Sequence, residues 1–299
     1  MIIFYGEGRL GNQIFQYQAL NRIARPGETI VAIGLEDLQH SFDLQGAKLL
    51  VLNNSLLVKR IFKFIINPVL LFPLARLLRL FNFASEPVTG IPPHAGSSGD
   101  LVLRRGLLPF ITFVHGGYYQ NPSLWNSLFP TKSLKLRTSL QTQVRQYLAE
   151  HVPESAMPIF VHVRRGDYQG YSSYGLSDLM LPETFYRRAI LSVKEQLPNA
   201  HFVFVTDDSR WVTESFADVK EKCVASYNAR FDFALMTCCR GGILSNSTYS
   251  LCAALLMDNP VLVIAPQYWF GFRVHEWYPP NIQVQNDRVT YLPVMDPSA

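Results

Sequence analysis

Apolar positions are spaced in two different ways along this chain. The first stretch is a short apolar run, Ile2–Tyr5, then a glycine-rich turn to Gly11, helical periodicity over Asn12–Ala24 and a second run at Ile30–Ile33. That pattern predicts a β-α-β opening. From Met157 the alternation becomes regular: Ile159–Val163 is a buried strand, Pro182–Gln196 a helix, and Phe202–Val205 a strand ending in Thr206-Asp207-Asp208. A helix over Trp211–Phe216, a strand at Lys222–Ala225, a helix over Phe231–Cys238, a strand at Ile243-Leu244, a helix over Tyr249–Met257 and a last strand at Val261–Ala265 complete it. Strands alternating with helices predict parallel sheets with right-handed crossovers. The expected fold is α/β, with two Rossmann-like domains, 1–155 and 156–299, and a ligand between them at the carboxyl ends of the strands. Glu86–Asp100 and Gly116–Pro122 read as loops, and between them the pattern predicts no element.

Composition narrows the partners. With 48% hydrophobic and 17% charged residues the chain specifies a folded core. A net charge of +4 suits a phosphate-bearing small molecule and is too weak for nucleic acid. The cysteines, Cys223, Cys238, Cys239 and Cys252, lack metal-ligand spacing and are expected to be reduced thiols. With no signal-peptide pattern at the N-terminus, the expected location is the cytoplasm. The run Leu56–Phe83 is apolar, but Lys59, Arg60, Lys63, Arg76, Arg79, Pro68 and Pro73 interrupt it, so it does not span a bilayer. It reads as short helices packed on the first domain, or as a basic surface in peripheral contact with the inner membrane.

Four constellations carry chemistry. His162-Val163-Arg164-Arg165-Gly166-Asp167 ends the strand that opens the second half, and two guanidinium forks fit a diphosphate leaving group without a metal. Asp167 could hold one arginine, and His162 could line the site; a salt-bridged strand end fits the same residues. Ser245-Asn246-Ser247-Thr248 follows a strand and opens a helix, an arrangement for binding an anion or simply for capping. Asp207, Asp208 and Asp232 could accept from guanine or ribose; Asp207-Asp208 could instead hold a divalent metal, and either could be a helix cap. Gly6-Glu7-Gly8-Arg9-Leu10-Gly11 fits the dinucleotide fingerprint, with Glu36 or Asp37 beyond the next strand. An NAD-type oxidoreductase would use that turn and leave the arginines idle. A non-catalytic nucleotide or glycan-binding module is the other alternative.

Together, Gly8-Arg9-Leu10-Gly11-Asn12-Gln13, Gly117-Tyr118-Tyr119-Gln120, His162 to Tyr168, Asp232 to Met236, Ser245 to Ser250 and Pro266 to Phe270 resemble the bacterial α-1,2-fucosyltransferases of glycosyltransferase family 11. The resemblance implies a GT-B fold, GDP-β-L-fucose as donor, a galactoside or lipid-linked glycan as acceptor, inversion, and no metal cofactor. It implies Arg164 on the β-phosphate and leaving oxygen, Ser247 and Thr248 on the diphosphate, Asp232 on guanine, and Asn12 and Gln13 facing the sugar. Gly8, Gly11, Asp207, Ser245 and Asn246 join the donor side, Tyr119 and Gln120 the acceptor side, and Arg165, His162 and Asp167 the catalytic group around Arg164. No general base is identified. The chain departs from the family at Leu251 and Cys252, where tryptophans are usual, and at Gly241-Gly242, where His-Asn is frequent.

Overall fold

The computed structural model describes residues 1–52, 80–85, 88–89, 96–97, 102–114, 117–120, 134–280, 282–284 and 289–295. The run 56–79, the start of Leu56–Phe83, lies outside the described residues, as do much of the 86–100 loop and residues 116, 121 and 122 of the second loop. Contacts divide the chain into two units, Met1–Thr89 with Ser97–Lys135, and Gly90–Gly96 with Leu136–Ala299.

The first unit holds a six-stranded sheet built from β1 (Ile2–Tyr5), β2 (Thr29–Ile33), β3 (Lys48–Val51), β4 (Phe81–Ser85), β5 (Val102–Arg104) and β6 (Leu108–Val114), with α1 (Leu10–Ile23) and α2 (Glu36–Ser41). Its order is β3-β2-β1-β6-β4-β5, parallel except for the edge pair β4–β5. The alternation of buried and half-buried side chains in β1 comes from its place inside the sheet, where Ile2 and Phe4 face the core.

The second unit is more regular. It contains α3 (Thr138–His151), β7 (Met157–Val163), α4 (Glu183–Gln196), β8 (Ala200–Thr206), α5 (Ser209–Ser215), β9 (Lys222–Ala225), α6 (Ala229–Cys238), β10 (Gly241–Ile243), α7 (Thr248–Leu255), β11 (Leu262–Pro266) and β12 (Val289–Leu292). All neighbours are parallel in the order β9-β8-β7-β10-β11-β12. Numbered from the first strand of this unit, that is the doubly wound order 3-2-1-4-5-6. The order reverses between β7 and β10, so a crevice opens at their carboxyl ends, after Val163 and Ile243. Val161, Val163, Phe202, Phe204, Ile243 and Ile264 form its core with Phe185, Tyr186, Ile190 and Val193 of α4. Glu183 in the first turn and Lys194 in the last complement the dipole of α4.

Helix α3, on the first-domain side of the boundary at 155, packs in the second unit, where Tyr147 meets Phe231 of α6 edge-on at 5.7 Å. The four cysteines are free, and burial raises the thiols of Cys239 and Cys252 well above the usual range. Among the described residues no helix is long and apolar enough to cross a membrane.

Candidate active site

The crevice at the switch point is where the two strongest sequence constellations meet. At the end of β7, Arg164 donates from Nε and Nη2 to both oxygens of Asp167, at 2.7 and 2.6 Å, and lies 3.3 Å from Asp207. Asp207 also accepts from the backbone N–H of Arg165 at 2.8 Å and of Gly166 at 3.1 Å. The turn after β7 is therefore held by the carboxylate at the end of β8. This fork-to-fork geometry fixes the plane of the Arg164 guanidinium, which no lysine could reproduce.

Arg165 has a different job from the one its neighbour suggested. Its Nε donates to Asp208 at 3.2 Å, and its guanidinium covers the Trp211 ring at 3.9 Å from the centroid. Asp208 is at the same time the N-cap of α5, accepting from Trp211 N–H at 3.1 Å. Arg165 thus joins the strand end to α5 through Asp208 and the Trp211 ring. Of the three candidate uses of Asp207 and Asp208, the structure shows the helix cap, at Asp208, and both carboxylates also pair with arginines. Two guanidiniums here face three carboxylates, Asp167, Asp207 and Asp208.

His162 is 3% exposed, and its Nδ1 lies 2.7 Å from the Ser245 hydroxyl. Burial, aided by the charge of Arg164, pushes its imidazole down to about 3, so it is neutral near pH 7. It links β7 to the turn after β10 through the Ser245 hydroxyl. In that turn Ser245 and Asn246 are buried, and Asn246 Nδ2 donates to Leu179 O at 2.6 Å. Ser247 caps α7, and with Thr248 it is the accessible part of the turn. Tyr168 spans the two constellations: its hydroxyl donates to Asn246 O at 3.2 Å, and Arg164 lies 5.7 Å from its ring centroid. Burial raises the Tyr168 phenol, which stays protonated. Tyr168 and Trp211 are the residues whose roles sequence reasoning missed; Trp211, three positions after a capping aspartate, carried the readable signal.

Asp232 lies in the first turn of α6 and accepts from Tyr227 N–H at 3.2 and 3.3 Å. Burial raises its carboxyl to about 6 against the pull of that bond. Tyr249 OH donates to Ala229 O, tying the start of α7 to the start of α6.

In the first unit, Gly8 has a φ of +85°, and a Cβ there would lie 2.4 Å from Asn12 Nδ2. Gln120 Nε2 donates to Asn12 Oδ1 at 2.9 Å; Gln13 accepts from Leu38 N–H at 2.9 Å, and Gln16 donates to Glu7 O and Gly117 O. Gly11 is buried at the start of α1. Asn12 and Gln13, the amides expected to face sugar, thus bond to Gln120 and Leu38 of the same unit. Tyr119, expected to contact acceptor, is 1% exposed and packs edge-on against Phe4 at 6.1 Å; Tyr118, 47% exposed, is the neighbouring aromatic at the surface. A cavity of about 380 Å³ lined by Tyr5, Gly6, Glu7, Gly8, Gln13 and Glu36 opens at the ends of β1 and β2. Glu36 begins α2 and accepts from Gly34 N–H at 3.4 Å, past the strand end where a ribose carboxylate belongs.

The sequence profile of glycosyl transferase family 11 matches residues 98–276, more than half of the chain, and the match takes in the whole switch-point crevice. The chain belongs to glycosyl transferase family 11. The O-antigen biosynthesis glycosyltransferase WbnK of Escherichia coli is 30% identical over 124 residues, which is 40% of this chain and 41% of that protein's length. The chain also shares its fold with a glycosyl transferase family 9 protein from Veillonella parvula DSM 2008, at a TM-score of 0.54 and 13% identity, covering 99% of this chain and 87% of that one. A crystal structure of POFUT1 in complex with GDP is similar at a TM-score of 0.51 and 11% identity, covering 88% and 97%. The family match begins at residue 98, after Gly6, Gly8 and Gly11.

Proposed function

We propose that this glycosyltransferase transfers L-fucose from GDP-β-L-fucose to the 2-hydroxyl of a galactoside, with inversion and without a metal ion. The observation that carries the reading is the Arg164 guanidinium fixed at the switch point, on a turn that Tyr168 joins to the N-terminus of α7. A sugar nucleotide breaks at the bond between the anomeric carbon and the β-phosphate oxygen, and the departing GDP gains negative charge. Arg164 and the backbone N–H groups beside Ser247 and Thr248 answer that charge as it develops, which lowers the barrier more than it tightens ground-state binding. Asp167, 47% exposed at its side chain, is the looser carboxylate on Arg164, against 30% for Asp207. The incoming phosphate replaces it on the fork. The acceptor hydroxyl must give up its proton to a base, and neutral, buried His162 is not that base.

The test is a thermal-shift panel of GDP, GDP-fucose, UDP-sugars and NAD, followed by GDP release with lactose. GDP and GDP-fucose are expected to raise the melting temperature while UDP-sugars and NAD do not. Lactose is expected to accelerate GDP release. Stabilisation by NAD alone would overturn the donor assignment; GDP-fucose binding without turnover on any galactoside would leave a binding module.

Asp232 gives the reading a pH signature. As the guanine acceptor it must be ionised, so GDP affinity is full above its carboxyl value of about 6 and falls as pH drops through it, approaching tenfold per unit. Stability of the unliganded protein runs the other way. The folded carboxyl is raised, the native state binds the extra proton, and stability declines as pH rises from about 4 to 6. Calorimetry of GDP binding between pH 5 and pH 8 checks the first effect, and Asp232→Asn is expected to flatten the profile.

A further inference from the structure

The first unit displays apolar side chains on a backbone that is held still. Residues 102–110 read Val-Leu-Arg-Arg-Gly-Leu-Leu-Pro-Phe, and Val102–Val114 contains no acidic residue. Leu107 is 76% exposed, Phe110 58%, Val102 43% and Leu103 40%, with Arg104 and Arg105 exposed among them. Strand β5 is the edge strand of its sheet among the described residues, and its successive residues Val102 and Leu103 are both exposed.

A loose loop would explain exposed side chains without any partner, but this turn is pinned from below. Asn82 is 1% exposed; it accepts from Gly106 N–H at 2.9 Å and donates to Pro109 O at 3.0 Å and to Thr112 Oγ1 at 3.3 Å. Leu108 N–H donates to Leu80 O at 2.6 Å, and the amino group of Met1 donates to Phe110 O at 2.7 Å. A buried polar side chain making three bonds is being used to fix a turn whose own side chains face solvent. Patches of this kind mark interaction surfaces.

We infer that this turn docks the enzyme on an anionic lipid bilayer, with Leu107 and Phe110 entering the headgroup boundary and Arg104 and Arg105 facing lipid phosphates. The charge selects this occupant. A bilayer surface is apolar just beneath and anionic above, which is the pairing shown here. Each arginine near an anionic leaflet contributes a factor of about five in partitioning. A second copy of the chain fits less well, because a two-fold contact would bring the arginine pairs together and β5 offers only three residues, Val102–Arg104, for strand addition. The inference is independent of the donor and of the transfer reaction.

The experiment is co-sedimentation of the full chain with phosphatidylcholine vesicles, with and without phosphatidylglycerol, at low and high salt. Binding is expected only with phosphatidylglycerol and is expected to weaken with salt. Leu107→Ser with Phe110→Ser should reduce partitioning about tenfold or more, and Arg104→Gln with Arg105→Gln should remove the preference for the anionic lipid. Both pairs lie on exposed positions, and an unchanged melting temperature verifies that each variant is folded. Equal binding to both vesicle types, or variants that partition like the wild type, overturns the inference. So does concentration-dependent dimerisation without lipid that the same substitutions abolish, which would assign the surface to a second copy.

Discussion

Arg164→Lys is expected to lower turnover by about 10²–10³-fold while changing GDP affinity by less than about tenfold, a loss near 3–4 kcal/mol in the transition state. The asymmetry follows from geometry. In the unliganded protein Arg164 contacts Asp167 through two parallel N–H···O bonds and Asp207 along the same edge. Lysine keeps the charge, so it keeps much of the attraction for a resting diphosphate, which already carries its negative charge. It loses the planar fork that addresses the bridging and terminal oxygens together when the bond to fucose breaks. Arg165→Lys provides the contrast. That side chain is committed to Asp208 and the Trp211 face, so its replacement is expected to lower stability by about 1–2 kcal/mol, through a lost cation–π contact and a strained cap, before it lowers turnover. Steady-state rates with calorimetric GDP affinities and melting curves separate the two. Near-normal turnover in Arg164→Lys would remove this residue from the mechanism.

The contrast between the arginines also shows where sequence reading stops. Neighbouring residues of one type in one motif read as one function, yet the strand end sends Arg164 to the crevice and Arg165 to α5. The partners that decide this, Asp207 and Asp208, lie more than forty positions away, just after β8. The second unit was legible because β7 and β8 are continuous apolar runs buried along almost their whole length, a signal that no amphipathic surface element produces. Helix α3 was not legible: only Val144 and Tyr147 of its fourteen residues are buried, too narrow a stripe to show a period. The last strand, β12, was missed because Val289–Leu292 is a short edge strand far from the last recognised element. In the first unit Tyr119 is placed on the acceptor side by the resemblance of Gly117-Tyr118-Tyr119-Gln120 to a family motif. Its burial against Phe4 comes from tertiary packing that no local pattern reveals. Leu251 and Cys252, where the family usually carries tryptophans, are 1% and 0% exposed, so these departures alter the core rather than a surface that meets acceptor.

Gly242→Ala is expected to destabilise the second unit by about 3 kcal/mol, a fall of roughly 10 °C in melting temperature for a domain of this size. Glycine inside a strand weakens it, and two in succession at Gly241-Gly242 call for a reason. The reason is Phe160, which faces Gly242 across the β7–β10 pair. A Cβ at 242 would lie 2.2 Å from Phe160 Cε1 and 2.3 Å from Cζ, far inside contact distance, and Phe160 is itself fully buried in a close-packed interior. The ring thus occupies the volume that a side chain on β10 would otherwise fill, and the strand end that carries Arg164 is spaced from the Ser245 turn by that exchange. Phe160→Leu alone should cost about 1–2 kcal/mol by leaving a void. Combined with Gly242→Ala it should cost less than the sum of the two by at least about 1 kcal/mol, because the smaller side chain vacates the space the new methyl needs. Denaturant unfolding of the four proteins measures that coupling. Strict additivity would mean that the glycine serves the backbone of β10 and not the ring across from it.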